Sequence, residues 1–162
     1  MKSLIILFSY HHRNTEKIAK VFAGVLGSEI KLPQQLKPEE LKDYDFIGFG
    51  SGIYDGKHHK SLLDFADSLP NSTKGKAFLF STCGVPIALS GKKFVENYRA
   101  KSHSALREKI QSKGYSIVGE FNCVGFNTNS FLIRFGGINK GRPNAEDLKG
   151  AEEFAQNLLQ RL

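Results

Sequence analysis

Short apolar runs alternate with amphipathic segments along the whole chain, and few folds accommodate this alternation. The first run, Leu4 to Phe8, is continuously apolar, as in a strand that is buried on both faces of a sheet. Between Ile18 and Leu26 the apolar residues then recur at helical spacing, which predicts a helix with one buried stripe. Strands that alternate with helices are typical of a parallel sheet with right-handed crossovers.

The same patterns predict five strands and a single α/β domain spanning residues 1–162. The later strands are predicted at residues 29–32, 46–50, 77–81 and 115–124. Helices follow around 62–69 and 92–113, and the last helix begins at Asn144, an N-cap residue with Asp147 three positions on. The Asn- and Gly-rich stretch 125–143 is long for a structureless connection, so it is either functional or contains an additional hairpin.

Composition and charge exclude several classes of protein. Cys83 and Cys123 form no CxxC pair, which predicts neither a zinc site nor a disulfide framework and favours a reducing cytoplasm. No apolar stretch approaches the roughly 18 residues of a membrane span, and Leu4 to Phe8 is too short for a secretory leader. The net charge is +7, but the lysines are scattered and form no stripe with aromatic residues, so we expect no nucleic-acid partner.

The loop between the first strand and the first helix is a candidate anion site. Ligands of parallel α/β sheets bind at the carboxyl ends of the strands, and a helix N-terminus offers unpaired N–H groups there. The loop adds short polar and basic side chains, namely Ser9, His11, His12, Arg13, Asn14 and Thr15. The alternative is that Asn14 or Thr15 only caps the helix, because capping uses the same groups.

Two other phosphate-binding motifs do not match this sequence. The run from Gly52 to His58 has the wrong spacing for a Walker A loop and lacks its Ser or Thr. The glycines at 48, 50 and 52 have the wrong spacing for a dinucleotide fingerprint and follow the third strand instead of the first.

On these residues the chain resembles the flavodoxin family. Asn14 and Thr15 match the end of the family's phosphate loop and Glu16 follows them, whereas Arg13 stands where the family has glycine. Tyr10-His11-His12 replace the usual Ser/Thr cluster. The resemblance covers essentially the whole chain. It implies a flavodoxin-like three-layer sandwich, a five-stranded parallel sheet of order 2-1-3-4-5, and FMN bound between strands one and three.

The resemblance also implies two further flavin-binding loops, after the third and fourth strands. Tyr54 is the aromatic residue expected against one flavin face, and backbone N–H groups of the later loop are expected at the flavin's pyrimidine edge. The residues implied are Ser51, Gly52, Ile53, Tyr54, Asp55, Gly56, Thr82, Cys83 and Gly84. The family's second stacking tyrosine is absent, which leaves Phe126 and Phe131 as candidates for the outer face. An ordinary loop with a turn at Asp55-Gly56 is the alternative for the first of these loops.

An FMN-binding domain of this kind implies an electron-transfer flavoprotein that works with a redox partner protein. The alternative is an FMN-dependent NAD(P)H reductase of a quinone or another small acceptor, and a third option is a scaffold without flavin. The positive net charge and the run from Lys57 to Lys60 suit an acidic partner, or the extra phosphate of NADPH. Cys83 and Cys123, on neighbouring strands, are either a redox pair or two buried inert thiols. The oligomeric state stays open.

Overall fold

A computed structural model of the chain describes residues 1–72, 75–86, 88 and 91–161. Segments of 3-10 helix at Pro33–Gln35, Pro38–Asp43 and Ser130–Phe135 accompany the strands and α-helices. In chain order the strands and α-helices are β1 (Ser3–Phe8), α1 (Asn14–Leu26), β2 (Glu29–Lys31), β3 (Phe46–Tyr54), β4 (Lys57–His58), α2 (Lys60–Asp67), β5 (Lys76–Cys83), α3 (Lys92–Ser112), β6 (Ser116–Val124) and α4 (Ala145–Leu159).

The sheet has the order β2-β1-β3-β5-β6, and all four pairings along it are parallel. Counted over these five strands the order is 2-1-3-4-5, so the expected α/β class and topology are confirmed. The sixth strand, β4, pairs antiparallel with the end of β3 and was not expected. It forms a tight hairpin in which Asp55 and Gly56 both have positive φ, the backbone of a type I′ turn.

Two apolar clusters fill the space between the sheet and its helices. One face of the sheet packs with residues of α2 and α3, such as Leu62 and Leu106, and the other packs with residues of α1 and α4, such as Phe22 and Ala155. The ring of Phe22 meets Phe78 and Phe80 edge to face, with centroids 5.4 and 5.0 Å apart. Burying one such side chain stabilises a fold by about 1.5–3 kcal/mol, so these clusters hold the strand ends in fixed positions.

The glycines of β3 serve this packing. A Cβ at Gly48 would lie 2.4 Å from the Phe78 ring, and one at Gly50 would lie 2.1 Å from the Phe80 ring. The glycine run after residue 47 is therefore explained by aromatic rings that cross the strand, without any nucleotide.

The long connection between β6 and α4 contains a minimal hairpin. Asn127 and Ile138 exchange two backbone hydrogen bonds of 3.0 and 2.9 Å across an isolated antiparallel bridge. Beyond it the last helix begins as predicted, because Asn144 accepts from the N–H of Asp147 while the Asp147 carboxylate accepts from the N–H of Asn144. Among the helices that the structure describes, none is long and apolar enough to cross a membrane.

Candidate functional site

A cleft of about 390 Å³, open to solvent, lies at the carboxyl ends of β1, β3, β5 and β6. Its position is the switch point of the sheet, where the chain leaves β1 in one direction and β3 in the other. Its walls come from four separate segments: His11, Asn14, Thr15, Gly52, Ile53, Tyr54, Thr82, Cys83, Gly84, Gly125, Phe126, Asn127 and Asn129.

The N-terminus of α1 faces this region without a side-chain cap. Arg13 is the N-cap residue, with φ 52° in the left-handed region, and its side chain makes no capping hydrogen bond to the first turn. The Arg13 guanidinium turns back along the helix, where its Nη2 donates to Glu16 Oε1 at 2.9 Å. Asn14 and Thr15 are thus not caps, and the free N–H groups of the first turn are available to an anion.

Asn14 and Thr15 instead tie α1 to the other cleft loops. Asn14 Nδ2 donates to the carbonyl of Phe126 at 2.8 Å, and the hydroxyls of Thr15 and Thr82 are 2.8 Å apart. Asn14 Oδ1 is buried and has no hydrogen-bond partner among the described residues. A buried acceptor without a partner is costly, and this one belongs to a side chain of the cleft wall.

Gly125 and Gly84 leave space for the side chains of two asparagines, Asn14 and Asn127. A Cβ at Gly125 would lie 2.6 Å from Asn14 Nδ2, and one at Gly84 would lie 2.2 Å from Asn127 Nδ2. Asn127 Nδ2 also donates to the Gly84 carbonyl at 3.3 Å. The loop after β6 therefore packs directly against the backbone of the loop after β5 beside the cleft.

The two histidines of the first loop reach the loop after β6. His12 Nε2 lies 2.8 Å and His11 Nε2 3.3 Å from the hydroxyl of Thr128, and the His12 ring packs on Phe126. Burial, followed by the charge of His12, lowers the pKa of His11. These contacts join segments more than 110 positions apart in the chain.

An aromatic wall stands on the opposite side, around Tyr54. The Tyr54 ring stacks on Tyr10 with centroids 5.6 Å apart and meets the edge of His59, which itself stacks on Phe8. A Cβ at Gly52 would lie 2.9 Å from the Tyr54 hydroxyl. Burial, and then the neighbouring phenol of Tyr10, raises the pKa of Tyr54 to about 12, so the Tyr54 hydroxyl keeps its proton.

Ser51 turns away from the cleft and organises the hairpin. Its hydroxyl donates to the Gly52 carbonyl and accepts from the N–H of His59, while His58 Nδ1 lies 2.9 Å away. His58 is buried, and its Nε2 has no partner among the described residues. Burial, followed by the nearby His103, holds the pKa of His58 well below its usual value. The network therefore assigns the proton of the neutral ring to Nδ1.

Behind the cleft, a chain of hydrogen bonds crosses from β5 to α3. Ser81 Oγ lies 2.7 Å from His103 Nε2, and His103 Nδ1 lies 3.0 Å from Glu120 Oε2, which Arg107 also contacts. Asn122 links Ser81 to the thiol of Cys83. Burial raises the pKa of Glu120, but the hydrogen bonds from Arg107 and His103 outweigh it and lower that pKa to about 2.

The two cysteines lie on opposite faces of the sheet. Cys123 pairs in register with Thr82 and packs in the cluster beneath α1 and α4, whereas Cys83 contacts Asn122 on the α3 side. Both thiols are buried, and burial raises the pKa of each. Of the two options for these residues, two inert thiols is the one that this geometry favours.

The structure brings nine of the fifteen predicted site residues together in the cleft wall. The others lie around it: Ser51 is buried in the hairpin, Asp55 and Gly56 form its tip, and His12 contacts Thr128. Ser9 and Arg13 line a neighbouring groove with Glu16 and Lys20. The run from Lys57 to Lys60 is not a continuous basic surface, because His58 is buried in it.

Sequence reasoning gave no site role to Gly125, Asn127, Thr128 and Asn129. The signal that pointed toward them was the unusual length and Asn content of the stretch 125–143. Phe126 contributes to the cleft wall, whereas Phe131 is 67% exposed and outside it.

A model of the flavodoxin domain matches residues 5–121, most of the chain. The chain belongs to the flavodoxin-domain family. An uncharacterized protein of Methanocaldococcus jannaschii is 46% identical to it over 159 residues, which cover 98% of this chain and 99% of that protein. This relative therefore matches the chain almost from end to end.

Solved flavodoxins share the fold of this member of the family at low sequence identity. Oxidised flavodoxin 2 from Bacillus cereus superposes with a TM-score of 0.71 at 20% identity, covering 100% of both chains. The Fusobacterium nucleatum flavodoxin bound to flavin mononucleotide superposes with a TM-score of 0.67 at 12% identity, covering 100% of this chain and 99% of that one.

Proposed function

We propose that this flavodoxin-domain protein binds FMN in the cleft at the carboxyl ends of β1 and β3 and carries electrons between protein partners. The observation that supports this most strongly is the uncapped N-terminus of α1 beside the buried, unpartnered Oδ1 of Asn14. The N-terminus of α1 favours an anion, and Asn14 Oδ1 favours a hydroxyl donor. FMN carries both groups, a phosphate and a hydroxylated chain, on one molecule.

The residues of the cleft fit this cofactor. The N–H groups of the first turn of α1 and the hydroxyl of Thr15 would hold the phosphate, and Asn14 Oδ1 would accept from a ribityl hydroxyl. Tyr54 would lie against the ring system, and backbone N–H groups of the loop at Thr82 to Gly84 would meet its polar edge. FMN supplies the one- and two-electron chemistry, while the protein binds it, orients it and excludes water from one side.

The experiment that tests FMN binding compares FMN with riboflavin, which lacks only the phosphate. We expect FMN to bind one to one and at least 100-fold more tightly, because the N–H groups of α1 act on the phosphate alone; quenching of flavin fluorescence measures both affinities. Equal affinities, or no binding of FMN, would contradict the proposal.

A pair of variants locates the cofactor. Asn14→Asp places a carboxylate at the N-terminus of α1 and is expected to abolish FMN binding by repulsion. Asn144→Asp makes the same change at the N-cap of α4, outside the cleft wall, and should leave FMN binding unchanged because aspartate caps equally well. Loss of binding in both variants, or in neither, would place the flavin elsewhere.

The same preparation separates an electron carrier from a reductase. Mixed anaerobically with NADH or NADPH alone, a carrier keeps its yellow colour and bleaches only when dithionite or a reduced partner protein is added. Rapid bleaching by either nicotinamide would assign the alternative function, an FMN-dependent reductase of a small acceptor.

A further inference from the structure

A projection of exposed apolar side chains stands on the connection between β6 and α4. Phe131, Ile133 and Phe135, all within the 3-10 segment Ser130–Phe135, are 67%, 67% and 79% exposed. The rings of Phe131 and Phe135 touch, with centroids 6.5 Å apart. Large apolar side chains grouped in this way mark interaction sites on protein surfaces. We call these three residues, together with Arg134 and Lys140, the projection.

The projection is held by its base. Asn127 and Ile138 close the connection with two backbone hydrogen bonds, and Asn139 Nδ2 donates to the carbonyl of Val85 at 2.8 Å. Gly137, with φ 82°, places its N–H on the carbonyl of Leu132. These hydrogen bonds close the base of the loop, and its apolar side chains point into solvent.

The projection adjoins the candidate flavin site. Its 3-10 segment begins one residue after Asn129, which lines the cleft, and two residues after Thr128, which contacts both histidines of the first loop. A protein seated on the projection would therefore lie against the rim of the cleft, where electrons would leave or enter.

The charged side chains of the connection between β6 and α4 are all basic. The sequence has no Asp or Glu between residues 121 and 145. Arg134 and Lys140 are exposed and form no ion pair among the described residues, whereas Arg142 is paired with Asp147. A second copy would bring like charges together, on chains that each carry a net charge of +7. The surface thus selects a partner with an acidic face.

We propose that the projection is the docking site for an acidic electron-transfer protein, with the apolar side chains at the centre of the interface and Arg134 and Lys140 at its rim. This arrangement matches the general anatomy of transient interfaces, whose centres are apolar and whose rim charges set the association rate. The inference rests on the proposed electron-transfer function, and the site of docking is its new content.

The test uses plant-type ferredoxin, an acidic one-electron carrier, as the probe. Its affinity for the chain is measured by calorimetry without flavin, and its electron-transfer rate to the FMN-loaded protein by stopped flow, both at 20 and 300 mM NaCl. We expect Arg134→Glu with Lys140→Glu to reduce the affinity and the rate at least tenfold at low salt and to remove their salt dependence. Ile133→Ser with Phe135→Ser should reduce both at least tenfold at either salt concentration.

The control pair is Lys37→Glu with Lys42→Glu, which changes the net charge equally at the other end of the sheet and should alter binding less than threefold. Docking variants that behave like this control would overturn the proposal. Weaker FMN binding in the docking variants would also overturn it, because the projection would then cover the cofactor. So would a wild-type dimer in sedimentation that the docking variants dissociate, because the projection would then be an interface between two copies of the chain. Because the affinity is measured without flavin, failure of FMN binding leaves this test intact.

Discussion

At the scale of single residues, the cleft depends on positions where a methyl group has no room. Gly125→Ala would place its Cβ 2.6 Å from Asn14 Nδ2 and displace the side chain that joins α1 to Phe126. We expect a loss of about 1–3 kcal/mol in the free energy of unfolding and weaker FMN binding, measured by urea denaturation and fluorescence titration.

The matched control for this substitution is Gly24→Ala. Gly24 is exposed in the last turn of α1, with no heavy atom within 4 Å of its Cβ position. Alanine should stabilise the protein there by about 0.5–1 kcal/mol through helix propensity and leave FMN binding unchanged. If Gly125→Ala behaved in the same way, the crowding around Asn14 would not matter for the cleft.

Glu120 is the charged residue on which the network behind the cleft depends. Its pKa, lowered to about 2 by Arg107 and His103, means that folding favours the ionised carboxylate. Glu120→Gln should lower the free energy of unfolding by about 2–3 kcal/mol at pH 7, because Arg107 and His103 lose a charged hydrogen-bond acceptor. The difference from wild type should shrink as the pH falls from 5 toward 2, when the wild-type carboxylate protonates.

Urea denaturation at several pH values checks this prediction, with Asp64→Asn as the control. Asp64 pairs with Lys60 on the surface, where both side chains are more than half exposed. Removing its charge should change stability by less than about 0.5 kcal/mol. A similarly small effect of Glu120→Gln at pH 7 would show that the network contributes little.

At the scale of elements, the start of α1 shows how backbone conformation sets a sequence preference. Arg13 has φ 52°, a left-handed conformation that costs a non-glycine residue about 1–2 kcal/mol. The order of stability should therefore be glycine, then arginine, then valine at this position, with Arg13→Gly at least ~1 kcal/mol more stable than Arg13→Val because valine is β-branched.

Thermal and urea unfolding measure this order. Lys17→Val, at an exposed position inside the same helix, is the control, and it should cost only about 0.5 kcal/mol. Equal stabilities for Arg13→Gly and Arg13→Val would mean that the left-handed turn before α1 carries no strain.

At the scale of the whole molecule, two buried histidines couple the stability of the fold to pH. Burial lowers the pKa of both His58 and His103, although Glu120 opposes it at each. The unfolded chain therefore binds protons near pH 6.5 that the folded chain does not. Stability should fall as the pH drops from 7.5 to 5, by at most about 1.4 kcal/mol per pH unit for each proton.

The free energy of unfolding, measured from pH 5 to 8, checks this direction. His58→Asn keeps a donor toward Ser51 without a titrating ring, so it should flatten the profile. A wild-type profile that is already flat over this range would show that the histidines stay protonated or become exposed in the folded protein.

Much of the architecture followed from local patterns. The runs from Leu4 to Phe8 and from Ala77 to Phe80 are apolar throughout because both faces of these strands are covered. Asn144 with Asp147 forms the cap that its spacing predicts. The hairpin strand β4 was not predicted from the sequence, because a strand of two residues is too short to show a hydrophobic periodicity. The strand order came from the family resemblance, because periodicity alone does not specify which strands pair.

Local patterns predicted the five strands of the parallel sheet, the four α-helices, the fold class and the loop that we propose for a phosphate, but not β4. The grouping of side chains in the cleft follows from contacts between loops that are far apart in the chain. Asn14 meets Phe126 across 112 positions, Thr128 meets both histidines, and Ser51 turns inward toward His58. The physical reason is that periodicity reports which face of an element is buried, whereas contacts between loops depend on how the sheet and its two apolar clusters set the strand ends.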